Sequence, residues 1–154
     1  MTAVIQRVTE AAVAVDGKTV GSCGRGLLIL LGVAEGDTKE DALLLANKIA
    51  KLRIFSDEAG KMNLSVSDVD GEALVISNFT LLANYKHGNR PDYLGAAKPE
   101  VANALYEHFA SLLSNAVRRV EKGVFGADMK VSLVNDGPVT LVLNSEVLKK
   151  TGKA

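Results

Sequence analysis

The sequence predicts a single α+β domain in which roughly seven strands and two helices share one core. Its 154 residues, 47% of them apolar, are enough for one compact domain and too few for several. Short β-rich or apolar runs bounded by turn residues occur along most of the chain, whereas apolar residues at helical spacing form only two stretches. No internal repeat or linker divides the chain, so we expect one domain over residues 1–144 and a basic tail over 145–154.

The first part of the chain predicts a hairpin followed by a central strand. Two β-rich runs, 3–8 and 11–15, precede Asp16 and Gly17, a dipeptide that favours a tight turn between antiparallel strands. After a glycine-rich stretch, residues 27–33 are apolar on both faces of the expected strand. A strand with two apolar faces belongs in the middle of a covered sheet.

A helix is expected at about residues 38–51. Asp37 or Thr38 can cap its first turn, and Glu40 or Asp41 follows at the spacing of a capping box. Apolar residues then recur at helical intervals, which predicts one face buried against the sheet.

The middle of the chain predicts a short strand at 52–55, a buried strand that begins at residue 73, and a long exposed loop from 84 to 98. Pro99 then opens the second helix, whose apolar stripe continues at three- and four-residue intervals. Gly123 is expected to end that helix. Residues 129–134 and 139–143 read as two further strands joined by a turn.

Composition excludes several classes of protein. The 18 Lys and Arg residues balance 18 Asp and Glu residues, which argues against disorder and against a globally basic nucleic-acid-binding surface. The single cysteine, Cys23, cannot form an internal disulfide, and no Cys or His spacing suggests a structural metal site. No apolar run is long enough to span a bilayer, and polar residues interrupt the N-terminal segment where a secretory signal would lie. We therefore expect a cytoplasmic protein without a metal or another cofactor.

Familiar catalytic constellations are missing from the sequence. His87 lies in the predicted loop and His108 within the second helix, so neither is well placed as a general base. No serine has the surroundings of a nucleophile elbow. The glycines of residues 21–26 come before a predicted strand, whereas a glycine-rich phosphate-binding loop comes after a strand and opens a helix.

Two polar clusters are the best candidates for a site. Residues 77–80 (Ser-Asn-Phe-Thr) follow a buried strand, and residues 135–140 (Asn-Asp-Gly-Pro-Val-Thr) lie between two strands. From the residues alone, local hydrogen bonding is the commoner role of such groups, and Asn-Asp-Gly-Pro reads first as a hairpin connection. The second cluster is more suggestive, because Gly137 and Pro138 together fix the backbone and can present carbonyls rigidly.

Local basic clusters leave a nucleic-acid contact open despite the zero net charge. A solvated surface is the simpler interpretation, and a local RNA-end site is the alternative. The clusters are Lys86, His87, Arg90 and Lys98 in the loop, Arg118, Arg119 and Lys122 after the second helix, and Lys149, Lys150 and Lys153 in the tail.

Five strings in register resemble the D-aminoacyl-tRNA deacylases over about residues 1–143. Each string is a weak signal alone, but their shared order and spacing make a chance match improbable. They are Ile5-Gln6-Arg7-Val8; Arg53-Ile54-Phe55-Ser56-Asp57 with Gly60-Lys61-Met62-Asn63; Ser77-Asn78-Phe79-Thr80-Leu81; Gly88-Asn89-Arg90-Pro91; and Val131-Ser132-Leu133-Val134-Asn135-Asp136-Gly137-Pro138-Val139-Thr140.

The resemblance implies a homodimer of β-barrel-like, mostly antiparallel α+β subunits. Such an enzyme hydrolyses the ester that joins a D-amino acid, or glycine mischarged on tRNA(Ala), to the 3′ end of tRNA, and thereby proofreads charged tRNA. It implies an active site at the subunit interface, where Ser77, Phe79 and Thr80 of one chain meet Gly137 and Pro138 of the other.

The resemblance also implies a mechanism without a strong protein nucleophile. The 2′-hydroxyl of the tRNA assists the reaction, while Thr80 and the Phe79 amide position the ester or stabilise the oxyanion. Thr80 as a nucleophile is the alternative. Chirality comes from rejection, since the carbonyls of a cis Gly137-Pro138 peptide clash with an L side chain.

Further residues are implied in supporting or binding roles. Asn135 and Thr140 would brace the Gly-Pro turn, and Arg7 would support it or the interface. Asn78 stands where the family usually has Gln, so a contact of the longer amide is expected to be lost or bridged by water. Asp92 and Tyr93 also depart from the usual loop sequence.

Three other functions stay open on the sequence. The same scaffold could edit another mischarged tRNA, it could bind an RNA end without catalysis, or it could be a purely structural dimer. A non-catalytic module would bind tRNA without ester loss.

Overall fold

A computed structural model describes residues 1–150 and confirms an α+β architecture with two main helices. Two short 3-10 turns lie at Phe79–Leu82 and Ser145–Leu148. In chain order the elements are β1 (Thr2–Val15), β2 (Lys18–Cys23), β3 (Gly26–Gly32), α1 (Lys39–Lys51), β4 (Phe55–Ser56), β5 (Met62–Leu64), β6 (Glu72–Ser77), α2 (Pro99–Ser114), β7 (Arg119–Lys122) and β8 (Lys130–Asn144).

Six of these strands form one mixed sheet that curls nearly into a barrel. Strand β1 is antiparallel to β3 and β2 along one edge and to β8 along the other, while β3, β6 and β7 are mutually parallel neighbours. The sheet almost closes between β2 and β7, where the Ser22 amide donates to Glu121 Oε1 at 2.9 Å. Gly21 permits this approach, because a Cβ there would lie 2.5 Å from the Lys122 carbonyl oxygen.

The two faces of the sheet bury two different cores. Helices α1 and α2 cover one face, and the larger core lies between them and alternate residues of β1, β3 and β6, including Ile5, Ile29 and Val75. The opposite face curls over a smaller core, which includes Val8 and Leu74. The larger core holds the helices against the sheet, whereas the smaller core adjoins a cavity that opens to the surface.

The early elements follow the sequence predictions. Asp16 (φ 50°) and Gly17 (φ 77°) form the turn between β1 and β2, both in the left-handed region that tight hairpin turns require. Strand β3 lies between β1 and β6, as its two apolar faces predict. The Thr38 amide donates to Asp41 Oδ2 at 2.8 Å, so the capping box ahead of α1 is confirmed.

Two elements of the second half differ from prediction. Helix α2 ends at Ser114 and not at Gly123, because the chain turns there, buries Val117, and pairs Arg119–Lys122 in parallel with β6. Residues 129–143 do not form a hairpin either. Residues 130–144 form one long strand, β8, that pairs with β1 on both sides of the Asn-Asp-Gly-Pro sequence.

The segment after residue 144 begins by packing on the domain. Ser145 is fully buried, and its hydroxyl donates to Asp41 Oδ1 at 2.6 Å. Burial alone would raise the pKa of Asp41, but the Ser145 hydroxyl, the Thr38 amide and Lys149 together lower it well below its usual range. Residues 151–154 of the predicted basic tail lie outside the described part, and the division at residue 144 stays a prediction. No helix within residues 1–150 combines the length and apolar character needed to cross a membrane.

Candidate active site

A cavity of about 850 Å³ opens where the smaller core meets the surface. Its floor is apolar, formed by Leu28, Leu30 and Ile76 of the sheet. The polar end of β6 and a segment before β8 form its rim. This volume and this mixture of apolar floor and polar rim suit a small organic group. The other lining residues are Gln6, Val33, Ser77, Asn78, Phe79, Tyr93, Ala96, Ala97, Pro99, Ala102, Phe125, Gly126, Ala127, Asp128, Met129, Val131 and Leu133.

The first predicted cluster lies at the end of β6. Ser77 still pairs with Leu31 of β3, and the Asn78 amide donates to the Leu31 carbonyl at 2.9 Å before the chain enters the 3-10 turn. Asn78 Oδ1 accepts hydrogen bonds from the Thr80 amide, at 3.1 Å, and from the Thr80 hydroxyl. The shorter Asn side chain therefore makes direct contacts that fix Thr80, while the expected loss or water-bridging of a contact of the longer amide stays a prediction.

Phe79 lines the cavity and has two groups that could contact a ligand, its ring and its backbone amide. The residue is 57% exposed, and its ring meets Tyr93 edge to face at 5.0 Å between centroids. Because Phe79 is the first residue of the 3-10 turn, its amide N–H has no acceptor within that turn. An amide at this place can donate to an oxygen that carries developing negative charge.

The second predicted cluster is a bulge on β8. Gln6 of β1 pairs with Thr140, but the next pair is Val8 with Asn135, so residues 136–139 have no partner on β1. Gly137 and Pro138 are exposed there, and the peptide bond between them is cis. The interpretation as a hairpin connection is wrong, because β8 continues along the same neighbour beyond the bulge.

Three side chains hold the bulge in place. Asn135 Nδ2 donates to the carbonyls of Arg7, at 3.0 Å, and Val139, at 3.1 Å. Arg7, which is 11% exposed, donates through Nε to the Asp136 carbonyl at 3.0 Å and forms an ion pair with the carboxylate of Asp136. Thr140 Oγ1 accepts from Gln6 Nε2 at 3.0 Å. These contacts are the kind that bracing residues make, while the catalytic and selective roles assigned from the sequence stay predictions.

One chain does not bring the two clusters together. From Thr140 the pairing runs through Gln6 and Leu28 to Leu74, so three strand spacings, about 14 Å, separate the bulge from β6 across the sheet. Within residues 1–150, Gly137 and Pro138 are not part of the cavity wall. Within one chain the two clusters therefore do not form a single site, and their meeting across a subunit interface stays a prediction.

Sequence reasoning missed part of the cavity wall. Phe125, Met129 and Tyr93 line it, and none was assigned to a site. The available signal was an aromatic residue in a Gly-containing segment just before a strand, which by itself reads as an ordinary turn.

Other reactive groups are accounted for by structure. Burial, and next the nearby Glu72 carboxylate, raise the pKa of the Cys23 thiol to about 11, so Cys23 is a poor nucleophile at neutral pH. The carboxylates of Asp37, Asp41 and Glu146 converge, but the Met1 amino group contacts Asp37 and Lys149 contacts the other two. Two cations of the chain itself therefore already contact all three carboxylates.

Comparison with known proteins places the chain in one family. A family model described as D-Tyr-tRNA(Tyr) deacylase matches residues 4–144. The D-aminoacyl-tRNA deacylase of Anaeromyxobacter dehalogenans is 59% identical over 148 residues, which cover 96% of this chain and 99% of that protein. The chain belongs to the D-aminoacyl-tRNA deacylase family. The resemblance found in the sequence is thereby confirmed, and with it the assignment to hydrolases that act on aminoacyl-tRNA esters.

Further relatives agree with this membership. The D-aminoacyl-tRNA deacylase of Sulfurihydrogenibium sp. is 58% identical over 96% of this chain and all of that protein. Among solved structures, one described as c-Myc DNA Unwinding Element Binding Protein is 41% identical, with a TM-score of 0.88. The match covers 94% of this deacylase-family chain and 98% of the chain in that structure. A probable eukaryotic D-amino acid tRNA deacylase, 18% identical with a TM-score of 0.78, covers 94% of this chain and all of its own, and shows the shared fold.

Proposed function

We propose that this protein hydrolyses the ester of D-aminoacyl-tRNA, and of glycyl-tRNA mischarged on tRNA(Ala), to release the free amino acid and tRNA. The observation that carries the proposal is the apolar cavity lined by Phe79, whose amide N–H has no acceptor within its 3-10 turn. The cavity is large enough for the terminal adenosine, and the aromatic rings of Tyr93 and Phe125 can stack on a base. Charged tRNA circulates in the cytoplasm, where we expect this protein to act.

Hydrolysis requires little beyond positioning, because an aminoacyl ester is already activated. Water adds to the ester carbonyl, and the Phe79 amide stabilises the resulting oxyanion. The adjacent 2′-hydroxyl of the tRNA assists, and the 3′-oxygen leaves with a proton. Thr80 positions the ester and is not the nucleophile, a role supported by its hydroxyl already donating to Asn78. No metal or other cofactor enters these steps.

Chirality arises by rejection at the Gly137-Pro138 turn of a second copy of the chain. The braced bulge presents a short stretch of backbone that has no partner on β1, and a rigid backbone can exclude an L side chain. Arg7 and Asn135 hold this turn, because they fix the carbonyls on either side of it.

A homodimer would complete the site, because one chain leaves the turn outside the cavity. Strand β8 supports this arrangement, since its outer edge pairs with no other strand within residues 1–150. Exposed Val134 (49%) and Val142 (73%) lie on the same strand. A long apolar edge strand is a surface that proteins normally cover.

The direct test is the time course of deacylation of matched D-tyrosyl-tRNA and L-tyrosyl-tRNA in EDTA, with a control for spontaneous hydrolysis. We expect rapid loss of the D ester alone. Loss of both esters at equal rates would contradict the chiral filter, and loss of neither, together with no loss of a glycyl ester, would contradict hydrolysis.

A non-catalytic nucleic-acid-binding module is the second candidate. The observation in its favour is the 41% identical structure whose description names a DNA unwinding element. This candidate predicts tight binding of charged tRNA that protects D and L esters equally. Another alternative, a wider editing pocket on the same scaffold, predicts hydrolysis of the ester of a different mischarged amino acid.

A further inference from the structure

We propose that the exposed loop of residues 84–98 binds phosphates of the single-stranded 3′ end of tRNA next to the cavity, through Lys86, Arg90 and Lys98. This inference rests on the proposed function, because the RNA is placed by its terminal adenosine in the cavity. It names which of the basic clusters meets the RNA, a question that the sequence leaves open.

Ion pairs neutralise the basic cluster after α2. Arg118 and Arg119 both contact the Glu72 carboxylate, at 3.4 Å and 3.1 Å, and Arg119 also pairs with Glu121. Lys122 pairs with Glu107. The Gly24 amide, and next Arg119, lower the pKa of Glu72, so this carboxylate stays charged and keeps its partners at neutral pH.

Only part of the C-terminal cluster is occupied: of its two described cations, Lys149 is held in ion pairs, whereas Lys150 is exposed and forms none within residues 1–150. Lys149 contacts the buried Asp41 at 3.0 Å and also pairs with Glu146. These carboxylates raise the pKa of Lys149, Glu146 more than Asp41. A cation held in this way has less charge to offer to a phosphate.

The loop differs from both clusters. Lys86, Arg90 and Lys98 are exposed, and among residues 1–150 none of them forms an ion pair. The only carboxylate within the loop, Asp92, accepts hydrogen bonds from the Asn84 side chain at 3.1 Å and the Leu94 amide at 3.2 Å. The loop therefore carries an unneutralised excess of positive charge in a chain whose formal net charge is zero.

The same loop also forms one side of the cavity. Its residues that line the cavity are Tyr93, Ala96 and Ala97. The Glu35 amide donates a hydrogen bond to the Gly95 carbonyl at 2.9 Å, which fixes this part of the loop. An RNA strand whose last nucleotide lies in the cavity must leave across the adjoining surface, and each nucleotide brings a negative charge within a few ångströms of the next. Tyr85, 80% exposed, adds a face on which an unpaired base can stack.

The test compares two double variants with the same change in net charge. K86Q/R90Q removes two free cations of the loop, and R118Q/K122Q removes two paired cations elsewhere. The first measurement is the affinity for uncharged tRNA as a function of salt. We expect the loop variant to bind roughly tenfold more weakly at moderate salt, with a salt slope smaller by about two, one for each residue, whereas the control variant stays near wild type.

Kinetics separate RNA binding from chemistry. With D-tyrosyl-tRNA the loop variant should show a raised KM and an unchanged kcat, and with D-tyrosyl-adenosine, which has no phosphates, it should match wild type. Equal weakening by both double variants, or an equal loss on the adenosine ester, would overturn the proposal. A wild-type protein that binds tRNA through the loop but hydrolyses neither D-tyrosyl-tRNA nor D-tyrosyl-adenosine would contradict the proposed function. The proposed RNA-binding surface would still be supported by that result.

Discussion

The two polar clusters position their residues in opposite ways. The residues after β6 end a strand and enter a 3-10 turn, in which Asn78 caps the Thr80 amide and the Phe79 amide points free of the turn. The residues on β8 interrupt a strand that continues past them, and side chains from β1 and β8 hold the interruption.

The difference suggests a division of labour. A strand end that leaves an amide donor free suits stabilisation of an oxyanion, which needs a hydrogen-bond donor. A bulge fixed from both sides suits steric rejection, which needs a surface that does not yield. Substitutions in the first cluster should therefore change the rate of hydrolysis, and substitutions in the second should change the ratio of D to L rates.

Phe79→Pro should have the largest effect, because it removes the amide N–H proposed to bind the oxyanion. Proline is tolerated at the first position of a helical turn, and the extended conformation of Asn78 suits a residue before proline. We expect kcat for D-tyrosyl-tRNA to fall by about 10² to 10³. Phe79→Ala, which keeps the amide and loses the ring, is the matched control, and an equal loss in that variant would assign the effect to the ring.

Gly137→Ala should change selectivity and spare hydrolysis of the D ester. A Cβ at this position would lie 2.5 Å from Asn135 Oδ1, and Asn135 cannot turn away without breaking its bonds to Arg7 and Val139. A displacement of about 1 Å should lower the ratio of D to L rates by about 10². Gly95→Ala is the control, since its Cβ meets nothing closer than 4.0 Å. An unchanged ratio in a folded Gly137→Ala protein would count against the steric filter.

Asn78→Ala should have a moderate effect, because it removes the cap of the 3-10 turn and the acceptor of the Thr80 hydroxyl. Loss of such a cap corresponds to about 1 kcal/mol, or roughly a fivefold fall in kcat/KM. Asn78→Gln, which restores the residue usual in the family, should retain most activity. If Ala and Gln at this position behave alike, the side-chain contact has no role in positioning.

Thr80→Ala should have the smallest effect, a fall in kcat of about threefold or less. The Asn78 side chain still accepts from the residue 80 amide in this variant, so the turn keeps its shape. Single-turnover rates with D-tyrosyl-tRNA measure the effect directly. Complete loss of turnover, with partial recovery in Thr80→Ser, would show that the hydroxyl is the nucleophile.

Much of the fold could be predicted from the sequence, because its signals are local. The Asp16-Gly17 turn, the capping box before α1 and the doubly apolar β3 each depend on residues close together in the chain. The end of α2 could not be predicted in this way. The apolar spacing continues beyond Ser114, but pairing with the distant β6 converts residues 119–122 into a strand.

The candidate site was only partly predictable, for the same reason. Both clusters were visible as polar residues beside strands, yet the bulge exists only because β1 supplies partners on either side of it and Arg7 holds it. Phe125 and Met129 join the cavity through the curl of the sheet, which no local pattern reveals.

The most direct test of the central claim is subunit complementation. Phe79→Pro and Gly137→Ala chains are co-expressed with different tags, and the mixed dimer is purified on both. If one chain supplies the donor and the other the turn, each mixed dimer contains one intact site, so it should hydrolyse D-tyrosyl-tRNA at about half the wild-type rate and still reject the L ester. A mixed dimer that hydrolyses the L ester at about half the rate of the Gly137→Ala homodimer would contradict a site shared between two chains, because each chain would then carry a complete site of its own.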